Sequence, residues 1–245
     1  MKLSAPIFVL KSQAKELKRT KSITMTEALD LIAQREGFSA WSLLQSQAKD
    51  IFPKTQEEIL EYLNPGDLML IGSRPGLGKT KFTLQILIQA VREERRCFFF
   101  TLEYGKREIA QKVAELDETI GEYNPRLTFD FSDDISADYI IKKTKGILEP
   151  QSIIAIDYLQ LLDQKRSKPE LQAQIESLKK FAKDQKCILI FISQIDRTFE
   201  TKGSKNPGLE DIRLPNPLDL SLFNKAMFLH NGKKFFVAPA EFEIN

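Results

Sequence analysis

A glycine-rich segment, GSRPGLGKT at residues 72–80, has the residue types and spacing that bind phosphate groups. It follows an apolar strand and precedes an amphipathic helix, so backbone amides between Gly76 and Thr80 are expected to surround a β-phosphate. We expect Lys79 to neutralise β and γ oxygens and the Thr80 hydroxyl to bind magnesium. The sequence thus predicts a site for ATP with Mg²⁺, in preference to a ligand-free turn. The predicted loop comprises Ser73, Arg74, Pro75, Gly76, Leu77, Gly78, Lys79 and Thr80.

Polar side chains also end or follow three other apolar runs. Asp157 ends SIIAID, where a carboxylate at the carboxyl edge of a buried parallel strand faces the phosphate loop, and we expect it to hold magnesium through water. Glu103 follows CFFFTL and is a candidate general base for the attacking water. Gln194 follows ILIFIS and is a candidate to contact the γ-phosphate or orient that water. For Glu103 and Gln194, a helix-capping or turn role is equally compatible with the sequence.

The elements that position these residues are strands alternating with amphipathic helices from Asp67 onward. Strands are predicted near residues 68–71, 98–101, 127–131, 153–156 and 188–192, and a final hairpin is predicted from residues 226–229 and 234–237. The clearest helix spans residues 170–183, where apolar residues recur at three- and four-residue steps. This alternation predicts an α/β fold with a mainly parallel sheet flanked by helices.

The first fifty or so residues differ from the remainder because they contain no convincing long strand. We therefore divide the chain near Pro53 into a small helical module, residues 1–52, and an α/β ATPase domain, residues 53–245. The module is interpreted as a packing or oligomerisation unit. A helix-turn-helix that reads duplex DNA is the less favoured alternative, since its second helix is poor in arginine and lysine.

Three short helices are predicted in the module. The first spans residues 11–19, and the second begins at a capping box formed by Thr24 and Glu27. Gly37 breaks the second helix, and Ser39 is expected to cap the third. The apolar residues expected to be buried together are Leu29, Ile32, Phe38 and Trp41.

Composition bounds the possible partners and compartment. Lysine and arginine number 36 against 34 aspartates and glutamates, so no global charge attracts the chain to nucleic acid or a membrane. Cys97 and Cys187 each open an apolar run, which favours free buried thiols in a reducing compartment. His230 is the only histidine, which offers no cluster for zinc. No secretory signal and no run of ~20 apolar residues is recognisable, so we expect a cytoplasmic protein without membrane contact.

Several segments resemble the motor domain of DnaB-type replicative helicases, over most of residues 67–213. They are residues 66–80, TLEY at 101–104, IDYLQLL at 156–162, LKKFAK at 178–183 and SQIDR at 193–197. The resemblance implies a RecA-like P-loop fold in which the strand of Gln194 lies between the strands of the phosphate loop and Asp157. It also implies Glu103 as the catalytic carboxylate, and a homo-oligomeric ring or partner ATPase subunits with nucleotide between subunits.

The sequence departs from the family pattern after Arg213. Family members carry a longer C-terminal segment with an arginine finger that reaches the next subunit's nucleotide, and no matching arginine follows Arg213. Because loss of such a finger lowers turnover by on the order of 10³ to 10⁵, we expect slow hydrolysis without a partner. A nucleotide-switched adaptor with little or no hydrolysis is therefore the alternative to a DNA-associated ATPase.

The resemblance further implies that the loops after Asp157 and Gln194 face DNA. Their basic residues are Lys165, Arg166, Lys168, Arg197, Lys202 and Lys205. Such side chains neutralise phosphates without reading bases, which makes single-stranded DNA the candidate partner. Solvated loops without a partner are equally compatible with these charges.

Overall fold

The computed structural model describes residues 7–21, 23–48, 53, 55–120, 124–163, 169–202, 206–214 and 216–237. Two compact units divide the chain: the described helices before Pro53 belong to the first, and the second runs Lys54–Val237. Each unit has its own buried apolar core.

The first unit consists of α1 (Ile7–Lys21), α2 (Met25–Arg35) and α3 (Trp41–Ala48). The predicted capping box at the start of α2 is confirmed. The Glu27 amide donates to the Thr24 hydroxyl at 3.2 Å, and the Thr24 amide donates to the Glu27 carboxylate at 2.8 Å. These two bonds satisfy amides that would otherwise lack a partner at the helix start.

Two helix starts in this unit differ from the prediction. α1 begins at Ile7, before the predicted start at Lys11. α3 begins at Trp41, whose amide donates to the Asp30 carboxylate at 2.7 Å, whereas Ser39 was predicted to cap it. The unit nevertheless buries the expected apolar residues, with Leu29 packed at the margin of a core that includes Ile32, Phe38 and Trp41.

The second unit contains a seven-stranded sheet. Its strands are β1 (Leu68–Ser73), β2 (Cys97–Thr101), β3 (Leu127–Asp130), β4 (Ile153–Asp157), β5 (Ile188–Gln194), β6 (Lys225–His230) and β7 (Lys233–Val237). The order is β3-β2-β4-β5-β1-β6-β7, and all neighbours are parallel except β6 and β7. This confirms the predicted α/β fold and the position of the Gln194 strand between β1 and β4.

Helices flank the sheet and hold its central strands away from water. They are α4 (Gln56–Tyr62), α5 (Lys79–Arg92), α6 (Lys106–Leu116), α7 (Ala137–Thr144) and α8 (Leu171–Gln185). Every residue of β1 and β4 is buried, which explains why these strands are continuous apolar runs in the sequence. The predicted apolar stripe of α8 is also buried: Leu171, Ile175, Leu178 and Phe181.

The segment after β5 contains short turns although its sequence is rich in polar residues, glycine and proline. Short 3₁₀ turns cover Arg197–Thr201 and Leu209–Asp211. Phe199 and Ile212 are buried, and Ile195 forms an antiparallel bridge with Ile212. Scattered apolar residues therefore pack this segment into the second unit, although their spacing has neither helical nor strand periodicity.

β6 and β7 form the predicted antiparallel hairpin. Asn231 and Gly232 connect them with φ angles of 49° and 70°. Two-residue hairpin turns need positive φ at both central residues, which asparagine and glycine adopt readily. The short turn signal in the sequence was therefore sufficient to locate the hairpin.

Candidate nucleotide-binding site

The phosphate loop connects β1 to α5 at the carboxyl edge of the sheet. Gly76 and Gly78 have φ angles of 79° and 83°, a conformation that residues with a side chain adopt only at a cost. A Cβ atom at either position would meet no other heavy atom within 4 Å, and residues 75–78 are exposed. The loop therefore curves around open space, and its glycines serve backbone geometry.

The first turn of α5 supplies positive polarity to this space. No described side chain caps the helix, so the first backbone N–H groups of α5 remain available as hydrogen-bond donors. The helix dipole adds partial positive charge at the same end. Lys79 and Thr80 open the helix and are only 4% and 5% exposed. The loop amides and the Lys79 ammonium together suit the phosphate groups of a nucleotide.

Asp157, at the carboxyl end of β4, lies against Thr80. The Thr80 hydroxyl donates to Asp157 Oδ2 at 2.8 Å. Asp157 is fully buried, and its Oδ1 has no hydrogen-bond partner among the described residues. Such an oxygen is costly to bury, and a hard cation with oxygen ligands would satisfy it. The oxygens of Thr80 and Asp157 therefore fit a magnesium ion.

The Glu103 carboxylate lies close enough to Asp157 to affect its ionisation, which adds negative charge to the site. Burial, followed by the charge of Glu103, raises the pKa of Asp157 to about 7, while the Thr80 hydrogen bond and the Lys79 charge oppose the rise. Lys79 takes part in none of the ion pairs of the described residues. The buried lysine and carboxylate are thus close enough to interact without forming a closed pair.

Glu103 lies in the turn that follows β2, and β2 is adjacent to β4 in the sheet. Thr101 and Asp157 are paired in the register of these strands, and the Glu103 amide donates to the Thr101 hydroxyl at 3.1 Å. The Glu103 side chain is exposed, whereas Asp157 is buried. Glu103 can therefore reach water while its carboxylate lies near Asp157.

Tyr104 also belongs to this cluster, although sequence reasoning did not assign it a role. Burial, followed by the charge of Glu103, raises the pKa of the Tyr104 hydroxyl, and a hydrogen bond with Thr80 lowers it. The Lys112 ammonium lies 4.7 Å from the centre of the Tyr104 ring. Its presence in the TLEY segment, next to Glu103, was the only sequence signal for this position.

Gln194 ends β5 beside the start of the phosphate loop. Ser73 and Gln194 are paired in the register of β1 and β5, and the Gln194 side chain is half-buried. Nearby, the Gln160 side-chain amide donates to the Ser193 hydroxyl at 3.2 Å and to the Arg213 carbonyl at 2.5 Å. The sequence marked Gln160 only as part of IDYLQLL, and these contacts show that it connects the segment after β4 to β5.

Arg74 was predicted as a nucleotide-binding residue, and its backbone does lie in the phosphate loop. Its side chain is turned to the segment after β5: Nε lies 2.8 Å from Glu200 Oε1, and Nη1 donates to the Ile195 carbonyl at 3.1 Å. The Glu200 side chain is 62% exposed, against 19% for Arg74. The loop is therefore physically linked to the region that follows Gln194.

The structure describes only part of the predicted DNA-contact set. Four of its residues lie outside the described residues: Lys165, Arg166, Lys168 and Lys205. Arg197 is exposed at the start of a 3₁₀ turn. The Lys202 ammonium lies 2.8 Å from the buried Asp211 carboxylate, and this hydrogen bond raises the pKa of Lys202. Lys202 therefore has an internal partner, in contrast to the exposed position of Arg197.

Two expectations from composition are also addressed by the structure. Cys97 and Cys187 are free and buried, as predicted, and burial raises the pKa of each thiol to about 12. Within the described ranges, no helix is both long and apolar enough to cross a membrane.

Comparison with known proteins agrees with the motifs that line this site. The family model of the DnaB-like helicase C-terminal domain matches residues 54–128 and 116–218. A probable plasmid replicative DNA helicase of Chlamydia psittaci is 27% identical over 198 residues, covering 69% of this chain and 43% of the relative. A probable replicative DNA helicase of Trieres chinensis is 28% identical over 229 residues, covering 74% and 50%. The chain thus spans about half the length of these curated relatives.

Solved structures support the same architecture. A separately solved ATPase domain has a TM-score of 0.61 at 23% identity and covers 78% of this chain and 81% of its own. A DnaB-like replicative helicase, solved in a study of its interactions with primase, has a TM-score of 0.59 at 23% identity and covers 91% and 65%. The implied RecA-like fold is confirmed. Because the family model matches well over half of its length, the chain belongs to the DnaB-like helicase C-terminal domain family.

Proposed function

We propose that this protein binds ATP with Mg²⁺ and hydrolyses it in association with DNA. The observation that carries the proposal is the buried cluster of Lys79, Thr80 and Asp157 at the mouth of the glycine loop. It combines a lysine without an ion pair among the described residues with a carboxylate oxygen that lacks a hydrogen-bond partner there. A triphosphate with its divalent cation supplies the negative and positive charges that this cluster needs.

Each residue has a distinct role in the proposed reaction. The amides of the loop and Lys79 bind the β- and γ-phosphates, and Thr80 and Asp157 hold magnesium, which would neutralise charge on the phosphate oxygens. Glu103 accepts a proton from the attacking water, because its exposed carboxylate lies beside the cluster. Gln194 responds to the γ-phosphate from the adjacent end of β5.

The partners follow from the family and remain part of the proposal. The relatives are named replicative DNA helicases, and single-stranded DNA is the proposed activator of hydrolysis. Nucleotide held between subunits of a homo-oligomer would allow a neighbour to complete the site. We further propose that residues 1–52 act as a helical module separate from an ATPase domain of residues 53–245, in a cytoplasmic protein.

The experiment is to measure phosphate release by Lys79→Ala with and without single-stranded DNA. We expect turnover to fall by about 100-fold or more, which is the usual scale for removing one group that stabilises charge in the transition state. Lys81→Ala is the matched control, because Lys81 is an exposed lysine two residues later on the same helix. Equal turnover by Lys79→Ala and wild type would contradict the proposal.

A nucleotide-switched adaptor is the second candidate, and the Arg74 contacts favour it. Arg74 joins the phosphate loop to Glu200 and to the Ile195 carbonyl. A nucleotide bound in the loop could therefore change the conformation of the segment after β5 through these contacts. In this alternative, ATP binding orders a partner-binding surface and hydrolysis is slow.

Turnover and affinity distinguish the two candidates. Rapid phosphate release that increases with single-stranded DNA excludes the adaptor. Tight ATP binding with negligible release, both with and without DNA, excludes the ATPase. Both outcomes require the Lys79 site, so loss of ATP binding in Lys79→Ala is expected in either case.

A further inference from the structure

Positive charge is distributed unevenly between the two parts of this chain. Residues 1–53 contain eight lysines and arginines against five aspartates and glutamates, whereas residues 54–245 contain 28 against 29. The formal charges are therefore +3 and −1, so the small excess of the whole chain resides in the helical module. The net charge of the whole protein is therefore near zero although its helical module is cationic.

Most of that charge lies on α1. Among its residues, Ile7–Lys21, five are lysine or arginine and one, Glu16, is acidic. Lys11, Lys15 and Lys18 follow one another at four- and three-residue steps, which places them along one side of the helix. Arg19 follows Lys15 at a four-residue step and extends this side. Lys11, Lys15, Lys18 and Arg19 together form the basic face of α1.

A different side of α1 carries apolar residues that are buried in the core of the module. Leu10 and Ala14 are buried, and Leu17 packs at the margin of the module's core. Lys15, Lys18 and Arg19 are exposed, and Lys11 is half-buried. α1 is therefore held in place by its apolar stripe while its basic face remains accessible to solvent.

None of the four residues of the basic face takes part in an ion pair within the described part of the chain. From Lys11 to Arg19 the helix rises about 12 Å, long enough to face three or four phosphates of one strand at about 3.4 Å spacing. Four cations in one row, without ion pairs among the described residues, are suited to a linear polyanion.

The third helix of the module has the opposite character. α3, the helix that would enter the major groove in a helix-turn-helix, has no charged residue between Trp41 and Ala48. Base-specific readout from α3 is therefore not supported by its residues. The cationic surface is on α1, where lysine and arginine would contact phosphates and not base edges.

We propose that the basic face of α1 binds the phosphodiester backbone of nucleic acid, as a contact site outside the ATPase domain. The surface is cationic and polar, which matches interfaces with nucleic acid. Protein partners are usually held by a buried apolar or aromatic centre, and membranes by an exposed apolar face. The described apolar side chains of α1, Leu10, Ala14 and Leu17, all pack in or against the core of the module, so among them none forms an exposed apolar centre beside the basic face.

The test uses the full chain with the triple variant Lys15→Gln, Lys18→Gln and Arg19→Gln. Binding to a labelled oligothymidine and to a labelled duplex is measured by fluorescence anisotropy across a salt series. We expect a ten- to hundred-fold weaker affinity, on the order set by three lost phosphate contacts at about 100 mM salt, and a logarithmic salt slope reduced by about 2 for the single strand. The same loss with both oligonucleotides indicates backbone contact without base readout.

The control carries the same charge change elsewhere: Lys142→Gln, Lys145→Gln and Lys180→Gln, which are exposed residues of the second unit. Affinity of the control should stay within about threefold of wild type. Equal loss in both triple variants, or no loss in the α1 variant, overturns the proposal. Binding of polyglutamate but not of oligonucleotide would overturn it in favour of an acidic protein partner.

Failure of this proposal is separable from failure of the ATPase proposal. Binding through α1 does not need nucleotide, so Lys79→Ala should bind oligonucleotide with wild-type salt dependence in the absence of ATP. Hydrolysis without DNA should be unchanged in the α1 variant, since none of its three residues belongs to the nucleotide site. Loss of basal hydrolysis in the α1 variant would show that its effect is structural, and would overturn the assignment.

Discussion

Buried lysine and aspartate residues occur together at opposite ends of the sheet, in two different arrangements. At the amino end of β1 and β6, the Lys225 ammonium lies 2.8 Å from Asp67 Oδ2 and 3.9 Å from the centre of the Tyr62 ring. The Asn64 amide also donates to Asp67 at 2.8 Å. At the carboxyl end, Lys79 and Asp157 are equally buried, but Asp157 Oδ1 lacks a partner among the described residues.

The difference separates a structural pair from a ligand site. Residue type and burial are the same at both ends, so neither property identifies function by itself. What differs is whether the donors and acceptors are satisfied within the chain, since an unsatisfied buried group costs free energy that a bound ligand can recover. The amino-end pair is complete, whereas the carboxyl-end pair needs phosphates and a cation.

The largest expected effect is on the free energy of unfolding when the satisfied pair is broken. Lys225→Met leaves the Asp67 carboxylate buried without its cation. We expect a loss of about 3 kcal/mol in urea denaturation, the scale for removing one partner of a buried ion pair. ATP binding per folded molecule should not change, because Lys225 lies at the other end of the sheet.

The double variant Lys225→Met with Asp67→Asn is the control for this prediction. Asparagine carries no charge and keeps an acceptor for the Asn64 amide, but its own NH2 group faces the Asn224 side-chain amide that donates to Asp67, so we expect it to recover part of the lost stability. A single variant within about 0.5 kcal/mol of wild type, the range of ordinary surface substitutions, would show that the amino-end pair is not the structural element described above.

The second effect has the opposite sign and concerns the unsatisfied set. Asp157→Asn retains an acceptor for the Thr80 hydroxyl and removes a charge that burial disfavours. The folded-state pKa of Asp157 is raised from 3.8 to about 7, so ionisation of Asp157 destabilises the magnesium-free protein as the pH rises through this interval. We expect the variant to be more stable than wild type by on the order of 2 kcal/mol at pH 8.

Thermal or urea unfolding in a chelator measures this gap as a function of pH. It should disappear as the pH falls below 3.8, where Asp157 becomes protonated in both states, and should grow to its full size as the pH rises past about 7. Adding Mg²⁺ and ATP should stabilise wild type but not the variant, and the variant should lose hydrolysis. A variant less stable than wild type at pH 8 in chelator would mean that the chain itself satisfies Asp157.

Much of the fold was predictable because it depends on local patterns. Buried strands such as β4 and β5 are uninterrupted apolar runs, and the Thr24 and Glu27 capping box has a fixed spacing. α4 was missed despite an identical capping box at Thr55 and Glu58, because a helix of 7 residues is too short to show a clear apolar period.

The contacts that distinguish the two ends of the sheet were not predictable from local patterns. The Thr80 hydrogen bond to Asp157 joins residues 77 positions apart, and the Arg74 contact with Glu200 joins residues 126 apart. Such pairs depend on strand order and register, which no single segment encodes. The sequence therefore indicated which residues reach the carboxyl edge, but not which of them would remain unsatisfied.

The smallest expected effect concerns the connection from the carboxyl-end set to the rest of the molecule. The Lys225 pair is closed on itself, whereas Arg74 extends from the phosphate loop to Glu200 and the Ile195 carbonyl. Glu200 is largely exposed, so a double-mutant cycle of Arg74→Ala and Glu200→Ala should give a coupling of about 0.5 kcal/mol in the free energy of unfolding. Hydrogen exchange over residues 195–202 should increase in Arg74→Ala.

Repeating the cycle with a non-hydrolysable ATP analogue shows whether this contact senses the nucleotide. Since phosphates occupy the loop that carries Arg74, a coupling that changes with the analogue would mean that occupancy is transmitted to the segment after β5. Glu200→Gln is the control, because it removes the charge of the partner but leaves the Ile195 carbonyl bond of Arg74. A coupling that is identical with and without the analogue would show that the contact only anchors the loop, and would remove the specific support for a nucleotide-switched adaptor.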